Sequence, residues 1–374
     1  MRQWLRRFPA ADTDGNGTLT VEEAKAFMAS RKRGRTAQGP PSEFVVDPGW
    51  SKAQFPNNAI CYLTPQEIQA VYRKAFPKDQ QPVFSVPRPE QALRIVGTGH
   101  SFMAPGYRTF PVICRAAGFE QPLRTHIGGG MTGSARYKWE EENGIFEFAG
   151  KAQPKLLPAI ATGAWDAMMW GPYYADRPEY YACWIDFCLK YNPRMEFFLS
   201  DAWPQLGQLR PLPRSEDELS AETFVRLGRE KHASTETLIA ALDRTYPDKI
   251  HIMPTSDAMV LAVKAFYEGK LPGIEGINRW LGGKTYSIWR DQLGHLGPGF
   301  ERLEGYVFYA TIYRRSPALI KGDIPFKPLV DKKLGVMNPP GREVDRLFRR
   351  IAWEAVINNP LSDVTDRNGD GIGD

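Results

Sequence analysis

From about residue 91 to 318 the chain alternates short apolar runs with longer amphipathic stretches, and this alternation limits the fold more than any other feature. Strands are expected at Leu93 to Gly97, Leu123 to Ile127, Ala167 to Trp170, Glu196 to Leu199 and Lys249 to Met253. Helices are expected at Tyr107 to Ala117, Lys155 to Thr162, Pro178 to Tyr191, Ala221 to Thr245, Asp257 to Tyr267 and Pro298 to Arg314. Strand-helix alternation predicts an α/β fold: a three-layer α/β/α sandwich whose five-stranded parallel sheet is covered on both faces by right-handed crossovers. Ligands bind such sheets beyond the carboxyl ends of the strands, so the chemistry is sought there.

Composition divides the rest of the chain. Residues 1–36 hold an acidic loop between helix-like stretches, and 37–90 form a Pro-rich, polar linking or wrapping segment with one helical pattern from Thr64 to Lys74. The catalytic-type segment is 91–318. An extension, 319–374, carries a helix from about Gly341 to Asn358 and ends in a second acidic loop.

Several classes are excluded early. No apolar run approaches the roughly 18 to 20 residues of a membrane-spanning helix. The formal charge of +5 is spread along the chain, with one dense basic run at Arg31 to Arg35, which argues against a nucleic-acid partner. Cys61, Cys114, Cys183 and Cys188 lack metal spacing and read as buried apolar residues or as disulfides; Cys183 and Cys188, five apart, do not share a helix face. The first residues, Met1 to Arg7, show no apolar stretch of the signal-peptide kind. Nothing in the sequence sets an oligomeric state or calls for an organic cofactor.

Directly after the first expected strand stands Gly97-Thr98-Gly99-His100-Ser101-Phe102, followed by a helix. A serine at a strand-to-helix turn projects its hydroxyl into the crevice beside backbone N–H groups that can receive an oxyanion. Serine is also a favoured helix cap, so a base is required to decide the matter. Among five histidines, His232 lies in a charged helix and His251 in a strand, whereas His295 lies in the loop Trp289-Arg290-Asp291-Gln292-Leu293-Gly294-His295 before the last central helix.

This pairing, Gly-x-Ser-Phe after the first strand with Asp and His together on a late loop, resembles the SGNH (GDSL-like) hydrolase superfamily over about residues 91–316. The resemblance implies a flavodoxin-like sheet, Ser101 as nucleophile, His295 as base and Asp291 as the residue that orients it. The family's late block is Asp-x-x-His, whereas this chain has Asp291-x-x-x-His295. It also implies an oxyanion hole made by the Ser101 N–H, a glycine after the second strand and a donor after the third. Gly130 and Gly171 stand at the latter two positions, but no Asn or Gln follows the third strand, so Trp170, Tyr173 or His126 would have to substitute.

At the same rim His100, His126, Trp170, Tyr173 and Trp203 are expected to contact substrate, the aromatic residues as a platform for sugar rings. The rival use of such residues is to fill space between loops and core.

Asp12-Thr13-Asp14-Gly15-Asn16-Gly17-Thr18-Leu19-Thr20-Val21-Glu22-Glu23 fits the twelve-residue EF-hand loop, with Asp12, Asp14, Asn16, Thr18 and Glu23 as oxygen ligands of calcium. The C-terminal Asp366-Arg367-Asn368-Gly369-Asp370-Gly371-Ile372-Gly373-Asp374 resembles a thrombospondin type 3 calcium repeat, with Asp366, Asn368, Asp370 and Asp374 as ligands. Both loops suit millimolar calcium outside the cytosol, so a secreted or periplasmic protein is expected.

The expected activity is hydrolysis of acyl esters, acetyl esters of carbohydrate first, through a Ser101 acyl-enzyme. A catalytically silent carbohydrate-binding or scaffolding protein is the alternative, and thioester or phospholipid substrates stand behind it.

Overall fold

The computed structural model describes residues 90–127, 156–171, 178–331, 335–337 and 340–374, together with Thr13, Thr20 and Glu23. The chain divides into two compact units, Met1–Val45 and Val46–Asp374. In the first, Thr20 and Glu23 form a reciprocal helix cap: the Glu23 N–H donates to Thr20 Oγ1 at 3.2 Å and the Thr20 N–H to Glu23 Oε2 at 2.9 Å. The expected helix at Thr64 to Lys74 lies outside the described residues.

The second unit is built on the expected parallel sheet, with strands β1 (Ile95–Gly99), β2 (Leu123–Ile127), β3 (Ala167–Trp170), β4 (Glu196–Ser200) and β5 (Ile250–Met253). Their order is β2-β1-β3-β4-β5, all parallel, and helices flank the sheet in a three-layer α/β/α arrangement. In this order the strand sequence reverses between β1 and β3, the switch point outside which sheets of this kind bind ligands. Ser101 follows β1 at that switch point. β1 and β3 are wholly buried, as expected of central strands covered on both faces.

The first strand runs two residues further than the sequence suggested. Gly97 closed the expected strand and Gly99 lay beyond it, but β1 includes both, and side chains crowd them: an ideal Cβ on Gly97 would lie 2.7 Å from the Tyr107 hydroxyl, and one on Gly99 2.8 Å from Met103 Cβ. The Tyr107 hydroxyl donates to the Thr98 carbonyl at 2.9 Å, clamping helix α1 (Ala104–Ala116) to β1. The helix starts three residues earlier than expected, with Pro105 in its first turn, where the missing N–H costs nothing.

Helices α2 (Leu156–Thr162), α3 (Pro178–Tyr191), α4 (Ala221–Asp243) and α5 (Thr255–Tyr267) follow the predicted order. A pair of three-residue parallel strands, β6 (Gly276–Asn278) and β7 (Ser287–Trp289), then leads into α6 (Phe300–Tyr313). Beyond a small antiparallel pair, β8 (Leu329–Asp331) and β9 (Gly335–Met337), comes α7 (Arg342–Asn358).

The boundary drawn at 318 falls inside the second unit. α7 packs against α5 and α6, and its Val344, Phe348, Ile351 and Ala352 share one core with Phe300, Tyr306 and Phe308 of α6. A buried polar knot joins the two helices: Asp345 accepts the Tyr306 hydroxyl at 2.9 Å and Arg349 Nε at 3.0 Å, while Arg349 also donates to the Ile320 carbonyl at 2.8 Å. Cys114 and Cys188 are free and buried; burial pushes both thiols up and leaves them unreactive, while Cys61 lies outside the described residues. No helix among the described residues is long and apolar enough to cross a membrane.

Candidate active site

Ser101 and His295, 194 residues apart in sequence, meet at the carboxyl end of β1: Ser101 Oγ lies 2.7 Å from His295 Nε2. On the far side of the ring, His295 Nδ1 lies 2.8 Å from Asp291 Oδ2. The helix behind the serine is capped at Met103 with no side-chain cap bond, so the Ser101 hydroxyl is not spent on the helix. Ser101 is exposed, while His295 is mostly buried. Burial alone would raise the Asp291 pKa, but hydrogen bonds from the His295 side chain and backbone, aided by the Arg290 charge, hold it below the usual carboxylate range. Asp291 is therefore the ionised partner that an imidazolium needs.

The extra residue of Asp-x-x-x-His is absorbed by the turn. Arg290 N–H donates to the His295 carbonyl at 2.8 Å, closing a hairpin that continues β7, and Gly294 N–H donates to the Asp291 carbonyl at 3.1 Å across a four-residue turn. Gly294 has φ of 88°, the left-handed conformation that glycine adopts without strain. The backbone thus folds the pair together, and one carboxylate receives both His295 Nδ1–H, at 2.8 Å, and His295 N–H, at 3.1 Å. Asn278, which the sequence reading passed over, donates its amide to the Asp291 carbonyl at 3.1 Å and accepts the Trp280 N–H at 2.9 Å. Its signal was an Asn before a helical turn, which reads as an ordinary cap.

Of the expected oxyanion donors, Ser101 N–H has no acceptor among the described residues. Gly171 does not supply a free donor: its N–H is directed at the Thr98 carbonyl at 3.3 Å, extending the β1–β3 ladder. Its lack of a side chain serves packing, since a Cβ there would lie 2.1 Å from Met103 Cγ. Gly130 and Tyr173 lie outside the described residues.

The rim aromatics are arranged differently from the expected platform. Trp170 is 2% exposed and packs between Tyr181 and Phe197, and Trp203 is 1% exposed. Both are core residues and present no face to a sugar ring. His100 is also buried, with Nδ1 accepting the Phe102 N–H at 3.3 Å. His126 is half-buried in β2, in register with Thr98.

Glu23, the expected twelfth ligand of the N-terminal calcium loop, carries hydrogen bonds on both oxygens, from Thr13 N and Oγ1 at 2.9 Å each and from Thr20 N and Oγ1 at 2.9 and 2.8 Å. These bonds, led by those from Thr20, lower its pKa to about 2. Asp12, Asp14, Asn16 and Thr18 lie outside the described residues. In the C-terminal loop Asp366 accepts the N–H groups of Gly369 and Gly371, Asn368 that of Asp370, Asp370 that of Ile372, and Asp374 that of Arg367. The donors are hard oxygens at alternate positions, as calcium prefers, although among the described residues no three acidic, His or Cys side chains converge on one point.

No family model matches the chain, and no curated protein does. Among solved structures, a DUF4886 family protein from Bacteroides uniformis is similar at 11% identity and a TM-score of 0.48, over 71% of this chain and 95% of that one. A Streptococcus pneumonia protein, provisionally described as a platelet activating factor, is similar at 13% identity and a TM-score of 0.33, over 70% of this chain and 98% of that one.

Proposed function

We propose that the chain is a serine esterase of the SGNH type that cleaves acyl esters through an acyl-enzyme on Ser101. The observation that carries the reading is the hydrogen-bonded series Ser101–His295–Asp291, at 2.7 and 2.8 Å. Ser101 Oγ attacks the ester carbonyl while His295 Nε2 takes its proton; Asp291 holds the proton on Nδ1 and offsets the imidazolium charge. The carbonyl oxygen becomes an oxyanion near the Ser101 N–H, and His295 returns the proton to the departing alcohol. Water, activated by the same imidazole, then releases the acid.

The alcohol half is proposed to be carbohydrate and the acyl group acetyl, on the superfamily resemblance. With Trp170 and Trp203 buried, ring stacking by these two residues does not support the sugar. The silent-protein alternative draws on one observation, the commitment of the Gly171 N–H to Thr98 with no Asn or Gln after β3. Loss of one oxyanion donor costs about 100- to 1000-fold in rate, which leaves a slow esterase rather than an inert one. Calcium is proposed as a structural ion of the two acidic loops, in keeping with an exported protein.

The test is hydrolysis of 4-nitrophenyl acetate. The wild type is expected to turn over, and Ser101→Ala and His295→Ala to lose about 10⁴-fold or more, as removal of the nucleophile or base does elsewhere. A folded wild type that releases no 4-nitrophenol, or variants that match it, would favour the silent protein.

A further inference from the structure

The loop that carries Asp291 and His295 exposes its tip, with Leu293 at 66%, so the loop is not anchored by burying its own side chain. It is tied from outside, and one tie comes from the segment after β4. The buried Trp203 indole donates Nε1–H to the Gly294 carbonyl at 2.7 Å. The face of that indole stacks on Phe102, with centroids 5.0 Å apart at 18°, and Phe102 meets the His295 ring at 5.1 Å and 84°. Trp203 thus reaches the base twice, through the backbone of the residue before it and indirectly through Phe102, which lies against its ring.

The chain bends sharply to reach this position. Ala202, just before Trp203, has φ of 52°, one of four non-glycine residues with positive φ among the described residues. Such a conformation costs about 1 kcal/mol or more and persists only where the surroundings enforce it. Here it follows the end of β4 and precedes the tryptophan that turns inward beneath the base.

Resting on the esterase reading, we propose that Trp203 is a positioning residue for His295: its indole N–H fixes the Gly294 carbonyl and thereby the direction in which His295 faces Ser101. It touches neither substrate nor the reacting atoms. Trp203→Phe keeps an aromatic ring against Phe102 and removes the N–H. Losing one such hydrogen bond predicts a fall in kcat of about 10-fold, with KM within about twofold.

A second measurement separates positioning from plain destabilisation. In the Asp291→Asn background, where the ring proton already sits on Nε2 and the ring cannot accept the serine proton, Trp203→Phe is expected to cost less than about twofold, because groups that act as one unit are not additive. A third readout needs no turnover: the low-field proton resonance of His295 Nδ1–H, identified by its loss in His295→Ala, should be sharp in the wild type and broadened or lost in Trp203→Phe. Unchanged kcat with an unchanged resonance would overturn the positioning role, as would equal losses in the wild-type and Asp291→Asn backgrounds. A wild type inert toward esters in which Trp203→Phe still removes the resonance would overturn the esterase reading and support the positioning role.

Discussion

Replacing Asp291 with Asn tests the catalytic geometry sharply, because the structure dictates which way the new amide turns. The carboxylate receives two donors from one residue, His295 Nδ1–H at 2.8 Å and His295 N–H at 3.1 Å. An Asn has only one acceptor to offer. If its oxygen faced Nδ1–H, its NH₂ would point at the backbone N–H, donor against donor. If its oxygen faces the backbone N–H, its NH₂ donates to Nδ1 and every group is satisfied, so this orientation wins. The ring proton is then forced onto Nε2, 2.7 Å from Ser101 Oγ, where the ring can no longer accept the serine proton. In the Ser-His-Asp template the same change of tautomer costs about 10⁴-fold in kcat, or roughly 5.5 kcal/mol. Asp291 is partly exposed, which lets water compete, so about 10³- to 10⁴-fold is expected here. The assay is kcat on 4-nitrophenyl acetate beside the melting temperature, which should barely move because all hydrogen bonds are kept. A loss of less than tenfold in a folded variant would refute the reasoning.

Further predictions concern the site's surroundings. Asp201, buried at the end of β4, accepts Thr255 Oγ1 at 3.0 Å and Ser256 N–H at 2.8 Å, and burial, with nearby Asp257, raises its pKa to about 8. The native state then binds more protons than the unfolded chain between about pH 4 and pH 8, so stability falls as pH rises through that window. Asp201→Asn keeps both hydrogen bonds and should gain on the wild type from pH 5 to pH 8 in urea midpoints; a constant difference would count against it. Gly171→Ala sets a Cβ 2.1 Å from Met103 Cγ and should cost about 1–3 kcal/mol in urea unfolding, but almost nothing in a Met103→Ala background, where the space is free. Calcium at about ten times its dissociation constant should stabilise the chain by about 1.4 kcal/mol for each loop that binds it, and Asp14→Ala or Asp370→Ala should each remove the contribution of its own loop. Equal melting curves in calcium and in chelator would speak against both loops.

Much of the sheet was legible because its strands obey local rules. β2, β3 and α3 have the bounds expected from the sequence, since each ends at a Gly- or Pro-containing stretch. The end of β1 was placed two residues early because Gly99 looks like a turn residue until Met103 is seen against it. The pairing of Ser101 with His295 was legible because few histidines lie in loops before helices, and Asp291 was added to it by the resemblance to the late Asp–His block of the SGNH superfamily. The fate of the rim was not, because the buried Trp203 indole bonds to a carbonyl 91 residues away, and such contacts leave no trace in local pattern. β6 and β7, three residues each, are too short for a period of two to show. In α7 the i, i+4 pair Asp345 and Arg349 is buried against Tyr306, a contact from another helix that the local sequence does not reveal.

The most direct test of the central claim is covalent labelling of the serine by a fluorophosphonate, followed by peptide mass spectrometry. An activated Ser101 should take up one phosphonyl group, at a rate that falls by orders of magnitude in His295→Ala and with no label at that position in Ser101→Ala. A folded wild type that stays unlabelled, or labels elsewhere at an equal rate in all three proteins, would contradict the assignment of Ser101 as the nucleophile.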